Sequence, residues 1–190
     1  MRKLKLQMQT SVDGFVAGPN GELDWMVREA GDDGLKFVNE MLEPVDLILL
    51  GRKMTEGFIN HWSSVVINQP DSLEFPLAKK LVDTPKIVFT KTLEKSNWDN
   101  TTLAKGNLTD EINTLKNQSG KDIIVYGGAG FVSSLIKENL LDEYNFVVNP
   151  TALGKGMTIF NDLDDKLNLQ LVKFKSFDSG EVLLCYEPRR

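Results

Sequence analysis

Ile123-Ile124-Val125-Tyr126 runs straight into Gly127-Gly128-Ala129-Gly130, then into a helical pattern with Val132, Leu135, Ile136 and Leu140 on one face. A continuous apolar run belongs to a strand covered on both sides, and such strands sit in parallel sheets flanked by helices. The pattern recurs upstream. Val45 to Leu50 is apolar except at Asp46, ends at Gly51, and precedes a short helix predicted over 53–60 with Met54 and Phe58 inward. Lys86 to Thr90 is another such run, after Thr84-Pro85 closes a helix over 75–82. Buried strands joined through helices predict an α/β domain with a mostly parallel sheet.

The remaining elements fill in around these. Leu4, Leu6 and Met8 alternate with Lys3, Lys5, Gln7 and Gln9, which predicts a first strand with one buried face. A loop rich in Gly, Asp and Pro follows from Ser11 to Gly21. Leu35, Phe37, Val38, Met41 and Leu42 predict a helix over 33–42, with Asp32 or Asp33 as N-cap and Pro44 as its stop. The stretch from His61 to Glu74 has no period and reads as loop. A short strand is expected over 101–104, a helix marked by Leu108, Ile112 and Leu115, and a strand over 144–149. Beyond Gly156, Leu167, Leu169 and Leu171 alternate, and Val172 and Phe174 continue in the opposite phase, the mark of a bulge. A turn at Phe177-Asp178-Ser179-Gly180 and a last strand over 181–186 add an antiparallel edge. With 190 residues and neither repeat nor linker, residues 1–190 read as one domain.

Composition removes several function classes. A net charge of −5, from 22 basic and 27 acidic residues, lacks the basic footprint of nucleic-acid binding. One cysteine, Cys185, excludes an internal disulfide and a Cys-rich metal site, and one histidine, His61, excludes a His–His metal pair. No apolar stretch is long enough to span a membrane, and Met1-Arg2-Lys3-Leu4-Lys5 alternates instead of opening a signal peptide. The expectation is a cytoplasmic protein with no metal, no membrane and no nucleic-acid partner.

Chemistry concentrates at the glycine junctions. Gly127 to Gly130 lets a ligand approach the backbone where a helix start offers free N–H groups to a phosphate; a tight turn needing small residues is the competing reading. The dinucleotide fingerprint is incomplete, because Ser133 stands at its third glycine position. At the second junction, Arg52 and Lys53 open a helix where a cation opposes the macrodipole, which invites an anion between them. Other candidates carry less. Gly154-Lys155-Gly156 is no P-loop, and Asp162, Asp164 and Asp165 lack calcium-loop spacing. Trp25 either stacks on a planar ligand or anchors its loop, His61 reads as a surface-loop residue and Cys185 as core.

Four segments in this order resemble the dihydrofolate reductase-like superfamily, and within it the reductase domain of the bifunctional riboflavin-pathway deaminase–reductase and its stand-alone bacterial relatives. They are Ser11-Val12-Asp13-Gly14-Phe15-Val16-Ala17-Gly18, Leu50-Gly51-Arg52 with Thr55, Tyr126-Gly127-Gly128-Ala129-Gly130, and Pro150-Thr151-Ala152-Leu153-Gly154-Lys155-Gly156 ahead of Phe160. The resemblance spans nearly the whole chain. It implies a doubly wound, mostly parallel sheet of about eight strands, with NADPH lying across the carboxyl ends of the central ones. Asp13, Gly14, Val16 and Gly18 would flank the nicotinamide. Gly51, Arg52, Lys53 and Thr55 would meet the phosphates, with Arg52 or Lys53 favouring the 2′-phosphate. Thr90 and Lys91 would hold the adenosine end, and Gly127, Gly128, Ala129, Gly130, Phe131 and Val132 the pyrophosphate. A cis bond is expected at Gly127-Gly128. Trp25, Phe37, Leu153 and Gly154 would line the substrate side, and a homodimer is implied.

Departures from the family pattern narrow the activity. The chain has neither the His-x-Glu nor the Pro-Cys-x-x-Cys motif of the zinc deaminase, so deamination is excluded. Asp33 and Phe37 match the spacing at which dihydrofolate reductases carry a catalytic acid and a pocket Phe, although Asp is also an ordinary helix cap. The implied function is an NADPH-dependent reductase resembling 5-amino-6-(5-phosphoribosylamino)uracil reductase. The alternatives are a dihydrofolate reductase acting on a pterin, and a non-catalytic NADPH-binding module.

Overall fold

The computed structural model describes residues 1–27 and 31–189. Along the chain run β1 (Leu4–Thr10), α1 (Asp32–Leu42), β2 (Val45–Gly51), α2 (Arg52–Asn68), α3 (Phe75–Asp83) and β3 (Lys86–Phe89). They are followed by β4 (Thr101–Ala104), α4 (Leu108–Asn117), β5 (Asp122–Gly127), α5 (Ala129–Lys137), β6 (Glu143–Val148), β7 (Leu169–Ser176) and β8 (Val182–Pro188). The strands form one eight-stranded sheet in the order β4-β3-β2-β5-β1-β6-β8-β7. All pairings from β4 to β6 are parallel, and β8 runs antiparallel to both β6 and β7. The expected fold class holds, antiparallel edge included.

Alternation along β5 divides the core. Ile123 and Val125 pack with Ile112 and Leu115 of α4 and with Val132, Leu135 and Ile136 of α5. Ile124 points the other way, to Leu35, Phe37, Met41 and Leu42 of α1 and Leu77 and Leu81 of α3. Both faces are covered, which is why these strands are apolar throughout. From β1 the chain winds outward to β4, then returns through β5 and crosses β1 to reach β6. That reversal beside β1 and β5 opens a crevice at the carboxyl ends of the parallel strands, where open α/β sheets bind ligands.

The structure corrects the sequence reading at several points. The helix expected over 53–60 continues to Asn68, through part of the stretch read as loop. Met54, Phe58, Trp62 and Val65 keep one stripe at helical spacing, and packing of that stripe overrides the weak propensity of Val65-Val66-Ile67. The N-cap of α1 is Gly31, with no side-chain cap bond, so neither Asp32 nor Asp33 caps it. In β1 the second face is covered as well, and Gln7 is buried. The phase slip does mark a register shift, between Leu171 and Lys173 of β7. No helix among the described residues is long and apolar enough to cross a membrane.

Candidate active site

Leu50 pairs with Gly127, so the two glycine junctions lie side by side at the carboxyl edge. A Cβ on Gly51 would fall 2.9 Å from the Phe131 Cβ and 3.2 Å from the Gly128 nitrogen. Only glycine lets α2 and α5 begin this close together. Gly51 caps α2 and Gly128 caps α5, with no side-chain cap bond at either and no acidic residue in either first turn. A Cβ on Gly130 would meet nothing within 4 Å, and one on Gly128 only the Met54 Cβ at 4.0 Å. Two sets of helix-start N–H groups thus converge beside open space, and Arg52 and Lys53 stand exposed at the first two positions of α2. Such a place favours phosphate. The Gly127-Gly128 bond is cis, as the resemblance implies.

Some of the expected contacts lie beneath this cradle rather than in it. Thr55 is fully buried, and its hydroxyl donates to the Gly51 carbonyl at 3.1 Å. Val132 is fully buried too, and its N–H donates to the Gly128 carbonyl at 3.0 Å. Both support the junction from inside. Phe131, half-buried beside Ala129, stacks on Phe89 with centroids 4.8 Å apart and backs Gly51. At the other end of the edge, the Thr90 hydroxyl accepts from the N–H groups of Thr92 and Leu93, both at 3.1 Å. The Lys91 ammonium donates to the carbonyls of Lys105 and Gly106 at 2.9 and 2.8 Å, which fixes a cation at the ends of β3 and β4.

Across the crevice, the loop after β1 and the loop after β6 are joined into one flap. Val12 N–H donates to the Thr151 carbonyl, Val16 N–H to the Met157 carbonyl, and Met157 N–H to the Ala17 carbonyl. Asp13 is the clasp. Its carboxylate accepts from the N–H groups of Leu153 and Gly154 and from the Ser11 hydroxyl. The Leu153 N–H, then the Ser11 hydroxyl and the Gly154 N–H, hold its carboxyl at a pKa of about 2, so it stays ionised and the clasp closed at neutral pH. Gly14 and Gly154 turn with φ of 87° and 71°. Val16 faces the core, and a Cβ on Gly18 would strike the Glu22 carboxylate, so these two shape the flap from within. The clasp was not legible in the sequence, where Asp13 and the 151–156 loop are 140 positions apart.

The substrate side differs most from expectation. Trp25 donates its indole N–H to the Glu22 carbonyl at 3.0 Å, which is the loop-anchoring alternative. Phe37 is buried, 5.7 Å from the Phe177 ring and beneath the Lys173 ammonium, so it belongs to the core. Asp33 reaches the β7–β8 turn: its Oδ2 lies 4.0 Å from the Lys175 ammonium and accepts weakly from the Asp178 N–H. Burial, with the charge of Asp33 adding to it against the Ser179 hydroxyl, pushes the Glu181 carboxyl upward. Asn149, fully buried, ties the crevice wall together. It donates to Gln9 at 2.6 Å and accepts from the Val27 N–H at 2.8 Å. Two buried side-chain atoms have no hydrogen-bond partner among the described residues, Asp33 Oδ1 and the Tyr126 hydroxyl. Sequence reasoning missed Asn149, Glu181 and Tyr126; the available signal was a polar group closing or opening an apolar strand.

The profile of the RibD C-terminal domain matches residues 2–183. An uncharacterized protein of Bacillus subtilis, YyaP, is 33% identical over 187 residues, 97% of this chain and 94% of its own length. The diaminohydroxyphosphoribosylaminopyrimidine deaminase/5-amino-6-(5-phosphoribosylamino)uracil reductase of Thermotoga maritima superposes with a TM-score of 0.67 at 18% identity, over 99% of this chain and 57% of that one. Dihydrofolate reductase from Enterococcus faecalis, solved with NADP(H), superposes with a TM-score of 0.65 at 17% identity, over 99% and 97% of the two chains. Likeness at these identities speaks for the fold.

Proposed function

This chain belongs to the RibD C-terminal domain family, and from that premise we propose that residues 1–190 form one NADPH-dependent reductase domain acting on a small polar substrate of the phosphoribosylaminouracil type. The observation that carries the reading is the pair of uncapped helix starts held together by Gly51 and Gly127-Gly128. The residues present fit a dinucleotide. Gly128, Ala129, Gly130 and Phe131 would hold the pyrophosphate, Arg52 and Lys53 the 2′-phosphate, and Thr90 and Lys91 the adenosine end. The flap clasped by Asp13, with Leu153 and Gly154, would cover the nicotinamide and exclude water. NADPH, when bound, supplies the hydride. The chain's own task is to orient the two partners and to deliver a proton, which we assign to Asp33. We place the enzyme in the cytoplasm, where a free buried thiol such as Cys185 stays reduced.

The test is cofactor choice. A charge-assisted hydrogen bond is worth about 1.5–3 kcal/mol, so Arg52→Ala is expected to weaken NADPH binding by about ten- to a hundredfold. NADH, which lacks the 2′-phosphate, should move little. Fluorescence titration of both cofactors checks this, and equal wild-type affinities for NADPH and NADH would sink the assignment of Arg52.

A second reading, reduction of a pterin, is favoured by one observation: Asp33, at the spacing where dihydrofolate reductases carry their catalytic acid, keeps a carboxylate oxygen that no described residue satisfies. Rates with dihydrofolate and with 5-amino-6-(5-phosphoribosylamino)uracil separate the two.

We propose further that the enzyme is a homodimer built on β7. This edge strand presents Leu171, Val172 and Phe174 at 45, 49 and 71% exposure, and an open apolar edge invites pairing with a second copy. Phe174→Glu is expected to yield monomers by analytical ultracentrifugation; an unchanged mass contradicts the interface.

A further inference from the structure

Tyr126, the last residue but one of β5, sits in an unusual position. Along β2, Leu49 pairs with Val125 and Leu50 with Gly127, so Tyr126 is passed over by the ladder. The pairing of β5 with β1 has already ended at Val125. The extra residue is left unpaired, and the strand bends there. The side chain keeps the face that two-residue alternation from Ile124 gives it, where its ring lies 5.4 Å from Phe58, which in turn meets Trp62 at 6.3 Å. Val38, Met54, Phe58, Trp62 and Tyr126 all pack against that core while remaining only partly buried. This apolar, largely aromatic group adjoins the glycine cradle through Met54, whose sulfur would lie 3.0 Å from a Cβ on Gly127.

The hydroxyl in that group is the anomaly. It is buried and has no partner among the described residues. A buried donor left unmade costs free energy, and native proteins seldom keep one without a use. Burial also holds the phenol well above its ordinary pKa, so it is neutral and a donor throughout the physiological range.

We propose that the Tyr126 hydroxyl reads the substrate: it donates a hydrogen bond to a neutral acceptor, a carbonyl oxygen or ring nitrogen, on a flat heterocycle lying against Phe58 and Trp62. This names the substrate class of the reductase site and rests on that reading. An analogue without the acceptor leaves the hydroxyl unsatisfied, so the group acts chiefly as a discriminator. It also explains why a phenol stands where a phenyl ring would pack equally well.

The test titrates wild type and Tyr126→Phe with two probes, dihydrofolate and 5-amino-6-(5-phosphoribosylamino)uracil, each with and without saturating NADPH. The ¹³Cζ resonance of Tyr126 is followed in the wild type. At least one probe is expected to bind, to move that resonance, and to bind Tyr126→Phe tenfold or more weakly. NADPH affinity should stay within twofold, and Tm should be equal or higher, since an unsatisfied hydroxyl has been removed. Equal probe affinities, an unmoved resonance or a lower Tm would overturn the proposal. Failure of both probes on the wild type overturns the heterocycle class. If NADPH fails to bind while the probe results hold, the reductase reading falls and with it the role in substrate choice, leaving only a heterocycle site to which the Tyr126 hydroxyl donates.

Discussion

Gly130→Asp is expected to leave the chain folded and to weaken NADPH binding by about a hundredfold, the sum of one lost charge-assisted contact and a new repulsion. The new side chain has room, because nothing lies within 4 Å of a Cβ at Gly130. It also suits the helix. Replacing a helical glycine by Asp relieves about 0.3 kcal/mol of propensity cost, and an acid in the first turn adds about 0.3–1 kcal/mol. Tm should therefore hold or rise while the site is lost. The same carboxylate would compete for the N–H groups at the start of α5 and repel a phosphate there. Circular dichroism melting together with a cofactor titration checks the pair of outcomes. A folded variant with wild-type affinity would return Gly127-Gly128-Ala129-Gly130 to the tight-turn reading.

The second large effect is at Asp33. Had it capped α1, Asn would replace it almost silently, because Asn caps equally well. The cap is Gly31, however, and Asp33 keeps one buried oxygen without a partner among the described residues. General acid catalysis contributes about a hundredfold or more, and Asp33→Asn is expected to lower kcat by about that factor. The assay substrate is whichever of dihydrofolate and 5-amino-6-(5-phosphoribosylamino)uracil the wild type reduces. Cofactor affinity should be unchanged and Tm nearly so, since the contact with Lys175 is long and partly exposed. Wild-type turnover in Asp33→Asn would move the proton donor elsewhere.

The parts of the fold that were legible share one cause. Strands such as Ile123 to Tyr126 carry their burial in their composition, and Gly51 and Gly127 announce the junctions because no other residue fits there. What escaped depends on partners distant in sequence. Phe37 matches a family spacing, yet Phe177 claims its ring for the core. Thr55 and Val132 sit in the motifs, but helical hydrogen bonds turn one hydroxyl and one N–H inward. The clasp of Asp13 on Leu153 and Gly154 requires β1 and β6 to be neighbours first. The extension of α2 to Asn68 shows the limit of local propensity, since β-branched residues there are helical through the stripe begun by Met54. Tyr126 needed the register itself, because only the slipped β2–β5 ladder distinguishes it from any other strand aromatic.

Amide chemical-shift mapping during an NADPH titration tests the central claim most directly. The account predicts saturable one-to-one binding, with the largest shifts at Gly51, Arg52, Gly128, Ala129, Gly130 and Phe131, and smaller ones at Lys91 and along the Asp13 flap. No binding, or shifts confined to residues away from the carboxyl edge of the sheet, would contradict it.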